Sequence, residues 1–436
     1  MSLIRCKAIR WAPALVLVAA VACARPDDSA PGDAPRAASP PSDSTTRVRP
    51  GIDVLLRDSL HLVFGRRVGL ITNRSGVTSD GRSSIDVLHE HLDVELAALF
   101  APEHGIRGTE AEGRRLEDGV DQGSGVVIYS LYGETFAPTP EMLSSIDVLL
   151  FDLQDIGARY YTWASTMAYA MRAAGEAGLP FIVLDRPNPI GAPVQGPVLD
   201  PAFSSFVGLY PIPVRHGMTV GELARLFVGE FGIDVDLTVV PVAGWTRDTW
   251  FDDTGLPWIP PSLNMPTLES ASHYPGTCLF EGTNLSVGRG TEAAFQQIGA
   301  PWLSGTDLAE RLATYDLPGV RIDAVEFTPD DPSDGKFDGQ PVRGVRLRVT
   351  DRSVYDPVRT AVAALLEARA LSGEAWRWNV RHFDRLAGSD RLRSRIESGV
   401  TLAEIVGAWG PGLAQFARLR APYLIYPEGS TERGDR

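Results

Sequence analysis

A Rossmann-like, doubly wound α/β fold with a mainly parallel sheet, followed by a smaller C-terminal α+β domain, is what three features of this sequence predict. Short, near-continuously apolar strands alternate with helical segments from Gly51 onward. Strands of that kind belong to parallel sheets covered on both faces. The intervening segments have helical spacing, and the longest closes on glycine. Polar residues follow the strands, where an open α/β sheet binds its ligand.

The elements follow in order. Residues 1–23 begin with Arg5, Lys7 and Arg10 and run into "WAPALVLVAAVAC". A basic start, a short apolar run and small residues describe an export signal, too short for a membrane span. Its end, Ala20-Val21-Ala22-Cys23, resembles a bacterial lipobox with Ala20 in place of the usual leucine, so Cys23 is the expected lipidation site. Ala24, rather than aspartate, favours the outer membrane if the cell is Gram-negative. Residues 24–50 are Pro, Ala, Ser and Asp with few large apolar side chains, a disordered tether. The expected location is the cell envelope, facing the periplasm, with the membrane reached through the lipid anchor only.

Residues 51–300 form the expected Rossmann-like domain. Strands are predicted at 66–73, 94–100, 125–131, 146–153 and 179–187, and helices at 81–92 and 160–178. "YPGTCLFEG" (274–282) reads as an apolar strand with Cys278 packed inside it. Residues 215–300 are otherwise rich in Gly, Pro and Trp. From 301 to 436 the texture changes to a helix at 307–315, a strand at 342–350 and a helix at 355–371. No internal repeat occurs at a fixed period.

Composition removes several classes. The net charge of −14 argues against a nucleic-acid partner and against anionic surfaces held by charge. The three cysteines are Cys6, Cys23 and Cys278, which leaves Cys278 alone in the mature chain and no internal disulfide. No G-x-G-x-x-G or P-loop opens a helix, so no nucleotide is inferred. The absence of H-E-x-x-H and C-x-x-C speaks against a metal, and that of G-x-S-x-G against a serine hydrolase. No cofactor is expected.

Chemistry concentrates in "LFAPEHGIRG" (99–108). Glu103 follows an apolar strand and Pro102, where desolvation would favour the protonated carboxyl that a general acid needs. His104 is read as orienting Glu103 or bonding a sugar hydroxyl, and Arg107 as a ligand for substrate or for Glu103. "FDLQDIGARYY" places Asp152 and Asp155 at the next polar strand end, with Asp155 preferred as a second carboxylate.

The blocks "LFAPEHGIRG", "YSLYG", "DLQDIGARYYTWASTM", "VLDRPNPIG", "RHGMTVGEL", "PGTCLFEGTNLSVGRGT" and "GAPW" occur in that order. Together they resemble the bacterial exo-β-N-acetylmuramidases of peptidoglycan turnover, from about Gly51 to Pro427. Leu263 stands where that family usually has proline. The resemblance implies removal of terminal N-acetylmuramic acid from the non-reducing end of peptidoglycan glycan fragments, a Rossmann-like domain with a small C-terminal domain, and no cofactor. It points to Glu103 as an acid. Muramic acid carries a lactyl carboxylate that a guanidinium matches bidentately. Arg159, Arg186, Arg215 and Arg289 are therefore substrate-binding candidates, each also readable as a structural salt bridge. Asn284 fits an acetamido group, and Tyr160, Tyr161 and Trp163 a sugar face or the core. The acetamido group itself is an alternative to a protein nucleophile. Rival readings are a hexosaminidase preferring N-acetylglucosamine and a non-catalytic muropeptide-binding lipoprotein. The oligomeric state is left open.

Overall fold

The strands read as continuously apolar because alternate residues feed two cores on opposite sheet faces. A computed structural model describes residues 47–107 and 115–428. The export signal, Cys23 and the tether up to Thr46 lie outside the described residues. The tether's last residues are ordered: Val48 is buried with Val242, Trp245 and Tyr426, and Arg49 pairs with Ala243.

The strands are β1 (Arg67–Thr72), β2 (Glu95–Ala101), β3 (Gly119–Val120), β4 (Val127–Ser130), β5 (Val148–Asp152), β6 (Phe181–Leu184), β7 (Gln195–Val198), β8 (Pro213–Arg215), β9 (Leu237–Val240), β10 (Gln297–Ala300), β11 (Val320–Phe327) and β12 (Val342–Val349). The main sheet has seven strands in the order β3-β4-β2-β1-β5-β6-β9. All neighbours are parallel except the short edge strand β3. Phe100, Leu149, Phe151, Phe181 and Val183 face one core. Leu99, Val148, Leu150, Ile182 and Leu184 face the other. Helices Trp163–Glu176 and Val220–Phe231 cover the first face, and Gly51–Asp58 and Ser84–His89 the second. The chain winds outward from β1 through β2 to β4, then returns to β5 beside β1. That reversal is the switch point where open sheets place their ligands.

Strands β10, β12 and β11 form a separate antiparallel sheet in that order. Strand β10 precedes the change of texture at Pro301, yet pairs with β12. Helix Pro357–Ser372 packs Val358, Ala361, Val362 and Leu365 into the same core as the main sheet's first face.

One expected element is corrected. The stretch 274–282 is not a strand: helix Leu268–Thr277 runs into a 3₁₀ turn, Cys278–Gly282. Thr267 caps the helix by accepting from Ser270 N at 3.1 Å. Pro275 lies within it and lacks the N–H of the helical ladder, and the helix gives way two residues later. Residues 215–300 also carry more regular structure than their Gly and Pro content suggests, with a capping box at Thr219 and Glu222 starting helix Val220–Phe231.

Candidate active site

Strand β2 ends at Ala101, and the chain turns at once, Gly105 N donating to Pro102 O at 3.0 Å. His104 takes the left-handed conformation (φ 71°), uncommon outside glycine. The turn leaves Glu103 and His104 buried on the wall of a pocket of about 230 Å³. Ligand pockets run from roughly 300 to 1,000 Å³. A volume below that range suits one terminal sugar ring better than a long glycan.

Thr162 immediately precedes helix Trp163–Glu176 and donates its hydroxyl to Glu103 Oε2 at 3.1 Å. The His104 and Trp163 rings meet edge to face at 6.2 Å. Tyr160, Tyr161, Tyr274 and Phe295 continue this aromatic wall. The Tyr160 hydroxyl donates to Pro275 O, so its ring lines the pocket while its polar end holds helix Leu268–Thr277. Burial pushes the Tyr160 and Tyr274 hydroxyls well above the usual phenol range.

A second carboxylate, Glu281, stands on the same pocket wall. It was not singled out in the sequence. In a 3₁₀ turn, positions i and i+3 eclipse, and this brings Cys278 and Glu281 together, Sγ donating to Oε2 at 3.4 Å. Arg289 donates Nε at 2.7 Å and Nη2 at 2.5 Å to Glu281 Oε1, and Nη1 to Ser333 Oγ at 3.1 Å. Its guanidinium also lies 4.9 Å from the centre of the Phe295 ring. Burial works against the charge of Glu281. Arg289, then Lys336 and the Cys278 thiol, outweigh it and hold the carboxyl below its usual range. The thiol itself is driven well above its ordinary range by burial and by Glu281. His382 and Leu386 reach the pocket from helix Val380–Ala387. Gly282 permits that approach, since a Cβ there would lie 2.5 Å from Phe383 Cα.

The other expected site residues lie elsewhere. Asp152 is fully buried and held bidentately by Arg186, Nε to Oδ1 at 2.6 Å and Nη2 to Oδ2 at 2.9 Å, with the Ser84 hydroxyl also on Oδ2. Asp155 is buried, accepts from Gly157 N at 2.7 Å, and has His216 Nε2 3.6 Å away. Neither aspartate lines the 230 Å³ pocket. Arg107 pairs with Asp121 at 2.5 Å. Arg159 donates to the carbonyls of Pro197, Ile212 and Leu386, and burial lowers it to about 10. Arg215, likewise lowered to about 10 by burial, bonds Gln195 and the Ile190 carbonyl. Asn284 gives its amide to Ala375 O at 2.8 Å and accepts from Arg377 N at 2.9 Å. Of the four motif arginines, Arg289 alone lines the pocket. Among the described residues no group of three His, Cys, Asp or Glu side chains is placed to hold a metal ion.

A Rossmann-like sheet with one buried and one part-buried carboxyl group and an aromatic wall around a sugar-sized pocket describes a glycosidase. The chain belongs to the exo-β-N-acetylmuramidase NamZ family: residues 68–269 match its N-terminal domain and 272–426 its C-terminal domain. It is 49% identical over 395 residues to the peptidoglycan β-N-acetylmuramidase NamZ of Bacillus subtilis (strain 168), covering 89% of this chain and 95% of that one. Two crystal structures of DUF1343 family proteins from Bacteroides fragilis NCTC 9343 are also similar. One has 36% identity and a TM-score of 0.81, covering 87% of this chain and 99% of that one. The other has 31% identity and a TM-score of 0.72, covering 88% and 99%.

Proposed function

We propose that this chain is an exo-acting glycoside hydrolase that releases terminal N-acetylmuramic acid from peptidoglycan fragments, with Glu103 as its general acid. The observation that carries the reading is the placement of Glu103, buried at the end of β2 on the wall of a single-sugar pocket, with the Thr162 hydroxyl fixing one of its oxygens. Cleaving a glycosidic bond needs a proton on the leaving oxygen, and a carboxylic acid positioned there supplies it. His104 shapes the wall beside it. Arg289, which lines the pocket while its guanidinium holds Glu281 and Ser333, is read as the contact for the lactyl carboxylate. The site belongs to an exported protein of the cell envelope, anchored through Cys23 and acting on wall glycans from the membrane surface.

The test uses the mature chain with para-nitrophenyl β-N-acetylmuramide, the matching glucosaminide and a natural disaccharide. Release of muramic acid is expected. Release of glucosamine alone would favour the hexosaminidase alternative, and tight binding of the disaccharide without release would favour the binding protein.

A further inference from the structure

Glu281 is engaged on both oxygens before any substrate arrives. Arg289 places two N–H groups on Oε1, and the Cys278 thiol reaches Oε2. Its donors are themselves held. Ser333 and the Phe295 ring fix Arg289, and the 3₁₀ turn fixes Cys278 against Glu281. The side chain is 13% exposed and lines the same pocket as Glu103. A carboxylate has about four lone-pair sites, so room remains for one further donor from a bound ligand. A carboxylate held in this way is a poor nucleophile, because attack would strip it of its charge-assisted bonds. It is a good fixed acceptor, because its charge needs no reorganisation during the reaction.

We propose that Glu281 accepts the N–H of the substrate's 2-acetamido group and stabilises the positive charge that appears when the acetamido oxygen, rather than a protein side chain, attacks the anomeric carbon. The proposal rests on the muramidase reading. In the first step the acetamido carbonyl oxygen bonds to C1 while the bond from C1 to the aglycone oxygen breaks. The electron pair leaves on that oxygen, which takes the proton of Glu103. The N–H stays bonded to Glu281, whose negative charge offsets the cationic oxazolinium ring. In the second step water adds to C1 and gives its proton to the Glu103 carboxylate. The bond from C1 to the acetamido oxygen breaks and the amide is restored. Anomeric configuration is retained. The charge of Lys336, whose Nζ donates to Leu285 O at 2.9 Å and lies 3.7 Å from Asp334, also favours the ionised Glu281.

The first measurement needs no variant. Para-nitrophenyl muramides carrying acetamido, fluoroacetamido, difluoroacetamido and trifluoroacetamido groups are compared on the mature wild-type chain. Each fluorine weakens the attacking oxygen, so kcat/KM is expected to fall progressively across the series. The second measurement uses Glu281→Gln and Glu281→Asp. Loss of the fixed charge is expected to lower kcat by about a hundredfold or more with a smaller change in KM, as for other preorganised groups that meet transition-state charge. Affinity for a muramic-acid thiazoline, which mimics the bicyclic intermediate, should fall more in Glu281→Gln than affinity for muramic acid itself, and Glu281→Asp should recover part of it. Indifference of the wild-type rate to fluorination would overturn the proposal. So would a covalent glycosyl adduct trapped on Glu281, or near-wild-type kcat in Glu281→Gln. If the wild-type chain turns over no muramide, the functional reading itself falls; if it turns over muramides but ignores fluorination, this inference alone falls.

Discussion

Arg186 and Asp152 meet as a fork, Nε to Oδ1 at 2.6 Å and Nη2 to Oδ2 at 2.9 Å, with both side chains buried beneath the carboxyl edge of the sheet. Arg186 also donates to the Val77 carbonyl, and Thr72 donates to the Asp152 carbonyl. The pair therefore ties β1, β5 and the segment after β6 together at the switch point. Removing one partner strands a buried charge, which costs roughly 3–5 kcal/mol. Arg186→Ala is expected to unfold at markedly lower urea concentration than wild type. The ratio of its kcat/KM values for muramide and glucosaminide should stay at the wild-type level in whatever fraction remains folded. A shift in that ratio would bring Arg186 back into sugar recognition.

Arg289 should behave differently. It holds Glu281 and lies on the pocket wall, so Arg289→Ala is expected to slow both substrates. Only the muramide carries a lactyl carboxylate, and a charge-assisted bond is worth about 1.5–3 kcal/mol. The muramide should therefore lose a further factor of roughly ten to a hundred in kcat/KM beyond the loss on the glucosaminide. Equal losses would confine Arg289 to holding Glu281.

Much of the fold was legible because burial on both faces removes polar residues from strands such as "VLLFD" and "FIVL". Glu103 was legible as well: an acid directly after such a strand and a proline sits where these sheets bind ligands. Glu281 was not. Its neighbourhood reads as a strand until Pro275 and the 3₁₀ turn are seen, and a strand would set Cys278 and Glu281 on opposite faces. The motif arginines were over-read for a related reason. Arg159 finds the Leu386 carbonyl 227 positions away, and Asn284 bonds Ala375 and Arg377 across 91 and 93 positions. Backbone carbonyls leave no mark in sequence, so a guanidinium spent on them looks the same as one awaiting substrate.

Asp185 offers a test by pH. It is buried at the end of β6, with Arg186 N and Gly221 N on Oδ1 and the Thr219 and Tyr426 hydroxyls on Oδ2. Desolvation outweighs these four donors, and nearby Glu222 adds to it, so the carboxyl rises from 3.8 to about 6. The folded state thus favours the protonated form. That contribution is fully present below about pH 3.8 and is lost as pH rises through about 6. A shift of about two units amounts to roughly 3 kcal/mol. The unfolding free energy of wild type minus that of Asp185→Asn, whose side chain is neutral throughout, should fall by about this amount between pH 4 and pH 7. A difference independent of pH in urea titrations would show that Asp185 ionises as an ordinary carboxyl.

Glu103→Gln is the sharpest test of the active site. The amide keeps the shape of the carboxyl and can still accept from Thr162, but it has no acidic proton to give. Strand β2 and Pro102 are untouched, so the melting temperature should stay near wild type. On a natural disaccharide the leaving group is an alcohol that departs poorly without a proton, and kcat should drop by about 10² to 10⁴. On a para-nitrophenyl muramide the phenolate leaves unaided, so the first step should suffer much less. If Glu103 only bound the sugar, both substrates would lose similar factors. If it only supported the fold, the melting curve would move. Near-wild-type turnover of the disaccharide by Glu103→Gln would remove Glu103 as the acid.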